Sequence, residues 1–194
     1  MKDFYQKSYK AYHEQTFNID PSSFLDPLVK NLPEGKFILD VGCGSGRDLC
    51  WLKQRGFKVM GFERSKGLAK LTRKNANCRV IEGEFEVYNF SDLPMDAIIL
   101  VGSLVHIPHE KFQPIFKNIT SGLSIGKKVL ITLKRGKGTF TDDQKRIFYL
   151  WLDQDLRVVF EKLGFKILDF KQQLSKVRAD DIWLGYVLEK ISDI

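Results

Sequence analysis

The residues best suited to chemistry in this sequence are the loop Asp40-Val41-Gly42-Cys43-Gly44-Ser45-Gly46 and the acid Glu63. The apolar run Phe37-Ile38-Leu39 before the loop reads as a buried strand, and Leu49, Trp51 and Leu52 after it have helical spacing. Glycines let a backbone turn sharply and approach a ligand closely, and a helix N-terminus adds free N–H groups and positive potential. Two common ligands are excluded by spacing. Arg47 stands where a G-x-G-x-x-G dinucleotide loop needs its third glycine, and a P-loop's Gly-Lys-Ser/Thr is absent. Seventeen residues beyond Gly46, Glu63 closes a second apolar run, where its carboxylate can accept both hydroxyls of a ribose. Loop and acid together point to an adenosine ligand without a diphosphate; the competing reading of Glu63 is a solvated carboxylate.

Other groups could complete a site. His106 has a reference pKa near neutrality, which suits a general base, but it fits equally a capping or helix-turn role. Tyr5, Tyr9 and Tyr12 have helical spacing, the pattern of a packing face, yet could close over a pocket. Phe148, Tyr149 and Trp151 either join that mouth or belong to the core. Lys134-Arg135-Gly136-Lys137 and Arg146 either receive an anionic small molecule or form solvated surface, whereas Lys66, Lys70, Arg73 and Lys74 share one solvated helix face.

The elements that must position these groups alternate short apolar runs with amphipathic stretches, the pattern of parallel β/α units. After Gly56, Phe57–Phe62 forms the second strand, Ser65 caps a helix to about Asn75, and Arg79–Ile81 forms a third strand. Asp96–Val101 reads as a central strand, His109–Ser121 as a helix and Lys128–Leu133 as the fifth strand. Asp153 reads as the N-cap of a helix ending at Gly164, and Phe165–Lys171 and Ile182–Leu188 as an antiparallel hairpin. The chain reads as one domain over 1–194, with a helical cap over 1–32 and an α/β core over 33–194.

Phe37–Gly46 resembles the first motif of the class I, seven-stranded S-adenosylmethionine-dependent methyltransferases, and the likeness runs from about Leu32 onward. Within that family the chain resembles small bacterial methyltransferases of the tellurite and thiopurine kind and generic methyltransferase domains with unassigned substrate. The resemblance implies an α/β fold with a doubly wound, mostly parallel seven-stranded sheet. Its strand order is 3-2-1-4-5-7-6, with strand seven antiparallel and helices on both faces. It implies S-adenosylmethionine as cofactor and S-adenosylhomocysteine as product. Asp40, Gly42, Cys43, Gly44 and Gly46 would serve the methionine part, Glu63 the ribose and Arg64 the adenine flank. Gly83-Glu84-Phe85 matches a family motif that usually carries Asp, so Glu84 and Phe85 would meet the adenine with one extra methylene. Val101 and Gly102 would pass beside the sulfonium, with His106 where the family often has a histidine. Tyr5, Tyr12, Lys134, Arg146 and Tyr149 are the candidate acceptor-binding residues.

Composition bounds these readings. The 194 residues carry 31 basic and 24 acidic side chains, a formal charge of +7 that permits an acidic partner without requiring one. Cys43, Cys50 and Cys78 are odd in number and lack CxxC spacing, so neither disulfides nor a metal is expected. No apolar run approaches the ~20 residues of a membrane span, and the expected location is the cytoplasm. The function expected is methyl transfer to a small molecule at O, S or N. Alternatives are an RNA or protein methyltransferase using the basic rim, and a non-catalytic cofactor-binding protein. Strand four lacks the Asn/Asp-Pro-Pro-Tyr pattern of amino methylation, and no Pro-Cys pair supplies a C5 nucleophile. The sequence leaves monomer and homodimer open.

Overall fold

A computed structural model describes residues 2–178 and 180–193. Three short helices, α1 (Lys2–Lys7), α2 (Tyr9–Thr16) and α3 (Ser22–Val29), precede β1 (Phe37–Val41). Alternation follows through α4 (Arg47–Lys53), β2 (Lys58–Glu63), α5 (Lys66–Ala76), β3 (Val80–Glu82), β4 (Ala97–Val101), α6 (His109–Ile119) and β5 (Lys128–Lys134). A small hairpin, β6 (Thr139–Thr141) with β7 (Ile147–Tyr149), comes next. It is followed by α7 (Asp153–Lys162), β8 (Phe165–Leu174) and β9 (Ile182–Lys190).

The main sheet has seven strands in the order β3-β2-β1-β4-β5-β9-β8. Its first five strands are parallel, and β9 runs antiparallel between β5 and β8. With the separate β6–β7 hairpin set aside, this is the order the family resemblance implies. Period-two alternation sorts the strand residues between two cores. Leu39, Ile98, Leu100, Val129 and Ile131 face Phe112 and Phe116 of α6 and Leu156 and Phe160 of α7. Ile38, Ala97, Ile99 and Leu130 face Leu25 and Leu28 of α3 and Trp51 and Leu52 of α4.

One local reading is corrected, and one segment carries structure that no sequence pattern announced. Leu152, not Asp153, is the N-cap of α7; Asp153 is its first helical residue, where it pairs with Arg157 at 2.9 Å and accepts the Tyr186 hydroxyl at 2.8 Å. The segment after β5 holds the β6–β7 hairpin, whose three-residue strands are too short and too exposed to show an alternating pattern.

Because β1, β2, β4 and β5 are parallel, their C-terminal ends share one edge. Gly42, Glu63, Gly102 and Lys134 therefore meet there, and the antiparallel register pairing Lys134 with Trp183 brings the start of β9 to the same place.

Candidate functional site

The glycine loop leaves β1 through Gly42 at φ +81°, Gly44 at +55° and Gly46 at +88°, so three turns of left-handed backbone fit within five residues. The N–H groups of Gly42 and Cys43 both donate to the Phe62 carbonyl, tying the loop to the end of β2. A side chain at Gly42 would put Cβ 2.5 Å from Ser103 Cβ, whereas one at Gly44 would meet only Tyr12, at 3.5 Å. The loop is thus pressed against the β4 exit on one side and open on the other.

Glu63 fixes the open side. Its Oε2 accepts the Gly44 N–H at 2.9 Å and its Oε1 accepts the Ser65 N–H at 2.8 Å, with the residue 7% exposed. Burial pushes its carboxyl above the usual range, and the backbone N–H bonds oppose that rise. Each carboxylate oxygen keeps acceptor capacity for a further hydroxyl.

A cavity of about 280 Å³ lies over this loop, with Gly42, Gly44, Glu63, Arg64, Phe85 and His106 among the residues on its wall. Asp40, Cys43, Gly46 and Glu84 are not on that wall. Asp40 lies buried beneath the loop, Cys43 Sγ turns to Thr72 at 3.7 Å, and Glu84 turns the chain by accepting the Val87 and Tyr88 N–H groups at its carbonyl. Phe85 and Glu86 take the wall position near β3 instead. Burial, then the neighbouring Asp48, drives the Asp40 carboxyl well above its ordinary range. Among the described residues, Ser103 Oγ, on this wall, and Asp40 Oδ2, which is not on it, are buried without a hydrogen-bond partner. Glycine loop, a buried carboxylate with acceptor capacity to spare and the unpartnered Ser103 hydroxyl fit an adenosine-bearing ligand.

A second cavity, about 180 Å³, opens beside the first. Tyr5, Tyr12, Val101 and Gly102 line both, so they form the shared boundary. Lys134 and Arg146 line only the second. Lys134 is not solvated surface: it is 5% exposed, pairs with Asp181 and lies 4.1 Å from the centre of the Phe148 ring. Tyr149 lines neither cavity. It packs edge-on against His109, and its backbone N–H donates to the Val105 carbonyl. Trp151 is a core residue, 7% exposed, whereas Phe148, 5% exposed, both packs in the core and lines the second cavity.

His106 and Tyr5 form the polar pair at the boundary. His106 Nδ1 lies 2.6 Å from the Ile147 carbonyl, so that nitrogen carries the proton, and Nε2 accepts the Tyr5 hydroxyl at 2.9 Å. Burial, with Arg146 and Lys134 nearby, lowers the His106 pKa to about 4. The fold therefore holds a neutral, occupied imidazole rather than one poised near neutrality. Sequence reasoning missed Arg178, Asp181 and Trp183. All three come from β9 and the turn before it, and no local motif links them to Lys134.

Comparison with known proteins agrees with this fold. A family profile described as a methyltransferase domain matches residues 38–126. An uncharacterized methyltransferase of Geobacillus sp. is 23% identical over 186 residues, covering 85% of this chain and 86% of that one. Two tRNA (uracil(54)-C(5))-methyltransferases, from Pyrococcus horikoshii and Pyrococcus abyssi, are 37% identical over 59 and 122 residues. This chain spans 14% and 29% of their lengths. Among solved structures, the 1,6-didemethyltoxoflavin-N1-methyltransferase of Burkholderia thailandensis superposes with a TM-score of 0.76 at 15% identity. The match covers 98% of this chain and 85% of that one.

Proposed function

We propose that this chain, which carries a class I methyltransferase domain, transfers a methyl group from S-adenosylmethionine to a small-molecule acceptor at oxygen, sulfur or nitrogen. The observation that carries the reading is the pair of cavities meeting at Tyr5, Tyr12, Val101 and Gly102, one of them built on the glycine loop and Glu63. In this reading Gly42 and Gly44 hold the methionine end, with Asp40 beneath them, Glu63 binds the ribose, and Arg64 and Phe85 flank the adenine.

When bound, the cofactor would supply an electrophilic sulfonium methyl to an acceptor lone pair, the electrons of the broken C–S bond going to sulfur. The protein's contribution is mainly positioning, worth on the order of 7–11 kcal/mol for well-oriented reactants. Tyr5 and Tyr12 close the boundary, and their aromatic faces favour a cation there by ~0.5–2 kcal/mol. His106 fixes Tyr5 by accepting a hydrogen bond from its hydroxyl. It acts as a positioning residue, so the reading favours an acceptor that needs no strong base.

Incubation with isotopically labelled methyl donor and fractionated cell extract tests this. Label entering small metabolites is the expected result. Label entering RNA instead supports the second reading, which the partial similarity to tRNA methyltransferases favours. Cofactor binding without any transfer would leave a non-catalytic binding protein.

A further inference from the structure

Around the acceptor cavity three cations each have a carboxylate of their own. Arg47 is held by Asp48 at 2.7 Å, Lys134 by Asp181, and Lys176 lies 3.9 Å from Asp20. Asp142 instead serves two guanidiniums, Arg146 at 2.7 Å and Arg178 at 3.3 Å. The Asp142 side chain is 0% exposed and also accepts the backbone N–H groups of Gln144 and Arg146, so its lone pairs are committed. The other nearby carboxylates, Asp143 and Asp180, are exposed to solvent.

One positive charge is therefore uncompensated between two guanidiniums that both line the cavity and are only 13% and 32% exposed. Each is further fixed in place. Arg146 lies 4.6 Å from the Phe4 ring centre and 5.4 Å from that of Phe148, and Arg178 lies 5.8 Å from that of Phe140. A simple clasp between the β6–β7 turn and the chain entering β9 needs one guanidinium on Asp142; a second, half-buried one costs desolvation unless an anion answers it. The rest of the wall is rich in aromatic rings: Tyr12, Phe24, Phe148 and Trp183.

We infer that the acceptor is a planar aromatic molecule bearing one anionic group, which Arg146 and Arg178 receive while its ring lies on the aromatic wall. The inference rests on the methyltransferase reading and specifies the substrate class of the same site. Planar guanidiniums held by a buried carboxylate are pre-aligned for a carboxylate or similar oxyanion, so little side-chain freedom is lost on binding.

The test uses three probes with one ring system and different charge: 2-naphthoate, 2-naphthamide and 2-naphthylmethylammonium. Each is titrated calorimetrically into the whole protein already saturated with S-adenosylhomocysteine. Naphthoate is expected to bind at least about tenfold tighter than the other two, by the factor a single charged hydrogen bond supplies. Arg178→Met should abolish that preference, whereas Lys176→Met, which removes a cation that has its own carboxylate, should retain it. Equal affinities, a cation preference, no naphthoate binding at millimolar concentration, or a preference unchanged in Arg178→Met would each overturn the inference. Failure of S-adenosylhomocysteine to bind in the first step removes the methyltransferase reading, and the inference with it.

Discussion

At the scale of single residues, Glu63 fixes Gly44 and the Ser65 backbone, and in the proposed function its carboxylate oxygens also receive the ribose. Glu63→Ala is expected to weaken S-adenosylhomocysteine binding by ten- to a hundredfold or more, since hydrogen bonds to a charged group contribute about 1.5–3 kcal/mol each. Unchanged affinity by calorimetry would remove the ribose assignment. Glu63 was legible because an acid at a strand end, a fixed distance from a glycine loop, is a local pattern. The state of His106 was not, because it depends on Tyr5 and Ile147 and on the charges of Lys134 and Arg146, all distant in sequence. His106 titrates near 6.5 when unfolded but about 4 when folded, so the native state resists its protonation. Its share of stability is complete above pH 6.5, is lost as pH falls toward 4, and stays lost below. His106→Gln should remove that part of the pH dependence of denaturation midpoints over the window, leaving the opposite trend of Asp40 and Glu63, whose raised carboxyls lose stability as pH rises. Asp96, lowered to about 2 chiefly by its bond to Lys127, loses its contribution only below pH 3.8, outside the window. The wild-type pH–rate profile should show no inflection between 6 and 7; one that vanished in His106→Gln would restore His106 as a general base.

At the scale of elements, the N-terminal helices are held to α5 by a few definable contacts. Ser65, the N-cap of α5, accepts the Leu68 N–H at 3.4 Å and donates to the Tyr5 carbonyl at 2.9 Å. Lys66 N–H donates to Gln6 Oε1 at 3.1 Å. A Cβ on Gly67 would lie 2.5 Å from the Tyr9 ring. Alanine in place of a helical glycine ordinarily stabilises by up to ~1 kcal/mol. Gly67→Ala is expected instead to give no gain in thermal stability and faster proteolysis of the first helices, because Tyr9 must move. A clear stabilisation would mean the helices do not pack on α5 as described. The cap at Ser65 was legible from its residue type. The division among the tyrosines was not: α1 ends at Lys7 and α2 begins at Tyr9, so the spacing does not run along one helix. Tyr9 packs on Gly67 while Tyr5 and Tyr12 face the cavities.

At the scale of the whole molecule, alternating strand residues build one core on each face of the sheet, and the cavities lie at the edge where β1, β2, β4 and β5 end. Phe116, 0% exposed, stacked on Phe112 and met edge-on by Phe165, should cost about 3–5 kcal/mol when changed to alanine, read from chemical denaturation. That loss should leave cofactor affinity unchanged at temperatures where the variant stays folded. The parallel half of the sheet was legible because each strand and helix announces itself locally. The wall of the second cavity was less so: antiparallel pairing places Trp183 opposite Lys134, and only the folded sheet brings Arg178 to Asp142. The charge of +7 is likewise divided by the fold, with Lys66 and Lys70 facing solvent and Lys134 buried at the site. The central claim, that the glycine loop and Glu63 form a cofactor site, is tested most directly by calorimetric titration of S-adenosylhomocysteine into the wild-type protein and Gly42→Val. One-to-one saturable binding to the wild type, abolished in a variant that remains folded by circular dichroism, is the result expected. No binding to the wild type, or equal binding to both, would contradict it.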